Sequence, residues 1–176
     1  MVRYARPEFA AVARPPWPRT GWAAGIYLTS MGLPFWQAGE EFARTKKGQG
    51  NSYRSSPAST GWTGSRAEQF HSLVDYYRGL IGLRAAFPRL GALDKAGPRR
   101  HRVLPAGTAS CGLAAPRPVG RWRGVERPVR LLQPTETAQV VTLPGGSWKL
   151  LSDGTSSSLW RGQSRIFTGK APLAPY

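Results

Sequence analysis

The sequence predicts a mixed fold, α/β through the middle of the chain and all-β at its end, with irregular stretches before and between. Three observations carry this. Arg66–Phe87 has a helical apolar period, a short aromatic segment bounded by glycine precedes it, and the last third alternates and turns as antiparallel strands do. The 176 residues suffice for one ordinary domain with a core, or two small ones. No apolar run reaches the ~18 residues of a membrane span. Met1–Arg6 is not followed by the apolar stretch of a secretory signal. A single cysteine, Cys111, excludes an internal disulfide framework and a Cys-rich metal site.

The elements follow in order. Ala23–Ser30 is small and apolar and reads as the end of a buried helix, broken by Gly32-Leu33-Pro34. Phe35-Trp36-Gln37-Ala38-Gly39 suits a buried strand. Glu40, Glu41 and a polar loop over Arg44–Ser65 come next. Ser65-Arg66-Ala67-Glu68 has the pattern of a capping box. Phe70, Leu73, Val74, Tyr77, Leu80 and Ile81 then form one helical face, and Pro88 stops it. Gln139–Leu143 and Ser147–Leu151 flank Pro144-Gly145-Gly146 as a hairpin would. Ser152-Asp153-Gly154-Thr155 is a turn, and Ser164–Thr168 a further strand.

The charge is unevenly spread. Lys and Arg number 25 against 9 Asp and Glu, a net charge of +16. Met1–Trp22 (four Arg, one Glu) and Arg99–Arg130 (eight Arg, one Glu) hold +10 of it. Their basic residues are all Arg, set among Pro, Gly and Ala with no helical or strand period. Neither stretch is expected to fold on its own. Arginines that follow no periodic face and lack interleaved base-stacking aromatics on credible strands argue against nucleic acid as the partner.

Few residues suggest chemistry. On a strand Glu40 and Glu41 would point to opposite faces, which rules them out as the carboxylate pair that flanks one glycosidic bond, although either could line a site. His71 falls early on the capped helix with no second His or Cys at ligand spacing, so it reads as a surface histidine. His101 lies among arginines, Cys111 lacks a nearby base, and Lys46-Lys47-Gly48-Gln49-Gly50 lacks phosphate-loop spacing. No catalytic residue, metal site or cofactor is expected. Of the seven tryptophans, Trp36 and Trp148 read as core and Trp160 as the candidate for exposure.

Gly32-Leu33-Pro34-Phe35-Trp36-Gln37-Ala38-Gly39-Glu40-Glu41-Phe42 resembles the eighth barrel strand of the amylase clan of glycoside hydrolases. Its continuation through Arg44-Thr45-Lys46-Lys47, Asn51-Ser52-Tyr53 and Ser56-Pro57 resembles the type I pullulanase family in particular. Val74–Arg84 is similar to that family's last barrel helix, and Gly145–Leu150 with Ser152-Asp153-Gly154 to its C-terminal β-sandwich. The resemblance covers about two-thirds of the chain. It implies the last strand and helices of a (β/α)8 TIM barrel over 23–97, then a partial antiparallel β-sandwich over 134–176. Residues 1–22 and 98–133 are left as non-native or disordered.

The resemblance further implies a C-terminal fragment of a retaining, two-carboxylate enzyme that hydrolyses α-1,6-glucosidic bonds in pullulan, glycogen or limit dextrin. The family's catalytic carboxylates lie on earlier barrel strands and match no position here, so the chain alone is expected to be inactive. Its loop after the eighth strand would lie at the face where barrels build their sites. Asn51 and Tyr53 are the candidate substrate contacts, with Glu40 and Arg44 in support. The expected partner is an α-glucan, with no nucleic acid and no membrane. Cytoplasm and secretion both stay open for the parent enzyme. Two alternatives from other classes are an α-glucan-binding β-sandwich module using Trp160 and a basic nucleic-acid-binding protein.

The family has Leu-Asn-Arg-Leu-Asp-Trp where this chain has Ser59-Thr60-Gly61-Trp62-Thr63-Gly64. Written CTC AAC CGG CTG GAC TGG and shifted by one base, that stretch spells Ser-Thr-Gly-Trp-Thr-Gly. Met1–Trp22, Ser59–Gly64 and roughly Arg99–Gln133 are accordingly expected to be read out of frame from a GC-rich gene. Resequencing should find bases gained or lost around these stretches relative to an intact homologous gene. Confirmed codons with no such change would remove the expectation.

Overall fold

The computed structural model describes residues 17–30, 32–47, 49–87, 102–104, 111–114, 129–132, 137–162 and 164–174. Helix α1 spans Trp17–Leu28. A 3-10 turn at Glu40–Phe42, a one-turn helix α2 at Pro57–Thr60 and a short helix α3 at Ser65–Gln69 lead to the long helix α4, His71–Ala86. Strands β1 (Arg102–Leu104), β2 (Cys111–Ala114) and β3 (Val129–Leu132) form one antiparallel sheet. Strands β4 (Gln139–Lys149) and β5 (Ile166–Leu173) form another.

The core lies between α1 and α4. Ala24 and Leu28 of α1 meet Leu73, Tyr76, Tyr77, Leu80 and Leu83 of α4, with Phe87 just beyond its end. These α4 positions recur at spacings of three and four, so one face is buried while Ile81 stays exposed. Trp36, Trp160 and Leu151 pack on the rim of the cluster.

Two arginines close the C-terminal end of α1. Arg84 Nη1 donates to the carbonyls of Leu28 at 2.9 Å and Ser30 at 2.7 Å, and its Nη2 donates to Gly32. Arg130 Nη1, from β3, donates to the Ile26 carbonyl at 2.9 Å and to the hydroxyls of Thr29 and Ser30. The last carbonyls of a helix lack partners within it and carry its negative end, so cations are favoured there.

The segment after β4 is tied to α4. Ser157 is buried and its Oγ donates to the Tyr76 carbonyl at 2.6 Å, while the Tyr76 hydroxyl donates to the Asp153 carbonyl at 2.8 Å. The expected turn at 152–155 forms, and Asp153 Oδ1 accepts from the amides of Thr155 and Ser156, both at 2.8 Å. Gly79 permits this approach, since a Cβ there would stand 2.0 Å from Ser157 Oγ.

Five expectations need correction. Residues 35–39 form no strand: residues 35–37 have no ladder partner among the described residues, and residues 38–39 already belong to the turn, with Gly39 left-handed at φ 99. The helix expected over 66–87 breaks at Phe70, and no side-chain hydrogen bond caps α3 or α4, so the Ser65/Glu68 capping box does not form. At the break Phe70 leaves helical geometry, with φ −110 and ψ 31, while Arg66 Nη2 donates to the Ala43 carbonyl at 2.5 Å and its guanidinium lies over the Phe70 ring. The hairpin at 144–146 is instead a bulge within the single strand β4, where Thr142 pairs with Lys170 and Ser147 with Thr168.

The other two corrections concern the arginine-rich stretches. The stretch 1–22, expected to lack structure, contributes Trp17–Trp22 to α1; its remainder lies outside the described residues. The stretch 98–133 contains β1, β2 and β3, whose short Val, Leu and Cys runs pair in register. Antiparallel pairing satisfies backbone groups even where side chains show no long period.

Gly79→Ala should lower stability by about 1–3 kcal/mol, because the Ser157 backbone would have to retreat from α4. Urea unfolding monitored by circular dichroism measures it.

Candidate functional site

The region after residue 38 is built by a tight turn. Gly39 has φ 99, and a Cβ there would meet the Arg44 side chain at 2.8 Å. The Arg44 amide donates to the Gly39 carbonyl at 2.8 Å and closes the turn. Ala43 also takes a positive φ of 56, where non-glycine residues are uncommon.

Glu40 and Glu41 sit in this 3-10 turn rather than on a strand, which corrects the reason given for their divergence. They still diverge. Glu41 Oε2 accepts from the Gly39 amide at 2.9 Å. Glu40 Oε2 lies 3.3 Å from the Tyr27 hydroxyl, whose stronger hydrogen bond, 2.7 Å, goes to the Tyr77 hydroxyl. Trp36 stacks on Tyr27 with ring centroids 6.2 Å apart and tilts against Tyr77 at 6.4 Å. A carboxylate, two phenols and an indole thus join α1, the turn and α4.

This environment governs the tyrosines. Burial raises the Tyr27 pKa well above the phenol range, and the neighbouring Tyr77 and Glu40 raise it further. Tyr77 is pushed up to about 12, chiefly by burial, against the lowering effect of the hydrogen bond from Tyr27. Burial raises Tyr76 as well.

Arg44 is held by the loop. Its Nη1 lies 3.4 Å from the Ala38 carbonyl, its Nη2 donates to Thr60, and its guanidinium stands 6.0 Å from the Trp62 ring centre. Asn51 is exposed and Tyr53 is 80 % exposed, in a loop where Ser55 Oγ donates to Gln49 Oε1 at 2.6 Å. The structure therefore divides the four candidates. Glu40 and Arg44 lie together and are engaged by protein groups, whereas Asn51 and Tyr53 face outward. Among the described residues no hydrogen bond joins the two pairs.

His71 is exposed, as expected, with Nδ1 3.2 Å from the Glu68 carbonyl. His101 lies outside the described residues. Trp148 is half-buried and its indole N–H donates to the Pro144 carbonyl at 2.7 Å. Trp160 does not stand out as a free platform. It packs edge-on against Phe87, and the Arg161 guanidinium covers its ring, which removes the residue on which the sugar-binding-module alternative depended. Among the described residues no group of three metal-ligating side chains occurs, and no helix is long and apolar enough to cross a membrane. A shallow cleft of about 240 Å³ lies between α4 and the 155–158 segment, beside His71 and Asp75.

Sequence reasoning missed Tyr27 as a partner of the turn and Arg84 as the residue that closes the end of α1, and treated Tyr77 only as part of an apolar face. The available signals were a phenol within an otherwise small apolar segment and an arginine in the last turn of a helix.

No family model matches the chain. It is 43% identical over 79 residues to the pullulanase of Bacillus subtilis strain 168, a match that covers 45% of this chain and 11% of that protein. The type I pullulanase of Bacillus subtilis strain 168 solved with maltose has a similar fold, with a TM-score of 0.78 and 24% identity over 96% of this chain and 24% of its own. Pullulanase from Bacillus acidopullulyticus gives a TM-score of 0.77 and 23% identity over 94% of this chain and 21% of its own. A mutant Paenibacillus barengoltzii pullulanase with maltotriose gives a TM-score of 0.67 and 29% identity over 77% of this chain and 21% of its own. The chain spans about a tenth of the curated relative and a fifth to a quarter of these solved chains.

The raised tyrosine pKa values predict alkaline sensitivity. An unfolded phenol loses its proton near pH ~10, while Tyr27, Tyr76 and Tyr77 keep theirs in the fold beyond that point. Above about pH 10 the unfolded state binds fewer protons than the native state, so stability falls as pH rises. The urea midpoint should be level below about pH 10 and drop steadily towards about pH 12, and Tyr77→Phe should make the drop shallower.

Proposed function

We infer that this chain, pullulanase-related in sequence and fold, is part of a starch- or glycogen-debranching hydrolase that cleaves α-1,6-glucosidic bonds. On this reading residues 23–97 supply the last strand and helices of a (β/α)8 barrel, and residues 134–176 supply part of the β-sandwich that follows. The observation that carries it is the 43% identity to a curated pullulanase, supported by a common fold across nearly the whole chain.

The chemistry follows from the linkage. A retaining glycosidase needs a nucleophile and an acid/base carboxylate about 5–5.5 Å apart across the bond. Glu40 and Glu41 diverge and are engaged within the turn, so neither takes those roles. The pair belongs to the part of the pullulanase chains that this chain does not cover. What the chain offers is a loop positioned for sugar. Asn51 supplies an amide for hydroxyls and Tyr53 an exposed ring for a sugar face. Glu40 and Arg44 fix the base of that loop. The partner is an α-glucan, consistent with the maltose and maltotriose named in the structures of its relatives.

Purified chain incubated with pullulan should release no reducing ends, and measurable release would overturn the assignment of catalysis to residues elsewhere. Maltotriose titrated into the chain should shift the amide resonances of residues 49–55. Tyr53→Ala should weaken that binding roughly tenfold, the equivalent of about 1.4 kcal/mol. Unchanged resonances at saturating sugar would contradict the placement of the loop at the substrate.

A further inference from the structure

We propose that the cleft between α4 and the 155–158 segment is a second α-glucan site, one that takes a single sugar ring and shares no residue with the loop at 49–55. The proposal rests on the debranching-enzyme reading for the identity of the sugar, and it deepens that reading.

The walls of the cleft are fixed before any ligand arrives. One wall is the first turns of α4, and the other is the polar segment that follows the Asp153 turn. The buried Ser157 hydroxyl donates to the Tyr76 carbonyl, and the Tyr76 hydroxyl donates back to the Asp153 carbonyl. Gly79 lets the two walls come this close. A site whose walls are already ordered loses little affinity to ordering them.

The lining groups are polar and keep unused hydrogen-bonding capacity. Asp75 accepts from Arg78 through Oδ1 at 3.0 Å, which leaves Oδ2. His71 Nδ1 lies 3.2 Å from the Glu68 carbonyl. A carbonyl only accepts, so in the neutral ring Nδ1 carries the proton and Nε2 is an acceptor. Thr155 Oγ1 donates to Asp153 Oδ1 at 2.9 Å and keeps its lone pairs. The hydroxyls of Ser72, Ser156 and Ser158 have no hydrogen-bond partner among the described residues.

This set of groups selects its ligand. An apolar molecule would strip water from them without replacing its hydrogen bonds. No lysine or arginine lines the cleft, so an anion would meet the Asp75 carboxylate with no lining cation to hold it. His71 and Asp75 have the i, i+4 spacing to share a metal ion, but no third His, Cys, Asp or Glu joins them among the described residues. A neutral polyol matches the set: its hydroxyls donate to Asp75 Oδ2 and His71 Nε2 and accept from the serines. At about 240 Å³ the cleft is smaller than the ~300–1,000 Å³ of sites that enclose a drug-sized ligand, so it holds one ring and leaves the rest of a chain outside.

Maltotriose titrated into the full chain, with amide resonances followed one by one, tests the proposal. Resonances of residues 71–75 and 155–158 should shift together on one binding curve. Asp75→Ala, at a side chain 62 % exposed, should weaken that curve at least tenfold and leave the shifts of residues 49–55 unchanged. Tyr53→Ala should do the opposite. Circular dichroism verifies that each variant is folded. Unshifted cleft resonances at saturating maltotriose, undiminished affinity in folded Asp75→Ala, equal shifts with glycerol, or zinc ions binding at His71 and Asp75 with no response to maltotriose would overturn the proposal. Shifts at the cleft without shifts at 49–55 would uphold the cleft and contradict the placement of the loop at the substrate. Shifts at 49–55 alone would overturn the cleft and leave the debranching reading standing.

Discussion

The hydrogen bond between the Tyr27 and Tyr77 hydroxyls, 2.7 Å long, holds the rest of the described structure in relation. It crosses from α1 to α4 inside the apolar cluster, where an unmade hydrogen bond costs about 1–3 kcal/mol. It fixes the rotation of both helices, because each phenol must reach the other while Leu28, Leu73 and Leu80 stay buried. The same hydroxyls bring in Glu40, and Trp36 stacks over the pair. The turn that launches the exposed loop is thus set by the interior of the helix pair.

That dependence changes the meaning of Glu40 and Arg44. Both were candidates for touching sugar, and both spend their polar groups on protein. Their contribution is to the shape of the turn, together with a left-handed Gly39 whose conformation Arg44 leaves no room to alter. Asn51 and Tyr53, with outward-facing side chains, remain the groups that could meet a ligand. The division is physical: a half-buried carboxylate beside phenols is engaged where it is, whereas an exposed ring loses apolar hydration when covered.

The sequence was most legible where period and burial agree. The face of α4 from Leu73 through Leu80 and the apolar end of α1 could be read directly, because helical spacing and an apolar core impose the same pattern. The Asp153 turn was equally plain. The capping box was not realised, because the helix starts at Ser65 with Gly64 at its N-cap, so the Ser65 hydroxyl is not in the capping position. Pro144-Gly145-Gly146 has the composition of a hairpin, but β5 pairs with both halves of β4 and leaves the triplet as a bulge. The arginine-rich stretches were misleading for another reason. Their texture has no period, yet Arg130 lies on a strand and completes the end of α1, a long-range contact that no local pattern announces. Residues 32–38 show the converse, a strand-like pattern without a strand, since pairing needs a partner that local sequence cannot supply.

Native-state hydrogen exchange on the chain and on Tyr27→Phe is the most direct measurement of the central claim, that the tyrosine pair organises both the helices and the turn. Amides of Leu73–Leu83 should exchange most slowly in the unsubstituted chain. In Tyr27→Phe, protection should fall together in α4 and at the Arg44 amide that closes the turn. Unprotected α4 amides in the unsubstituted chain, or a loss confined to α1 in the variant, would contradict it.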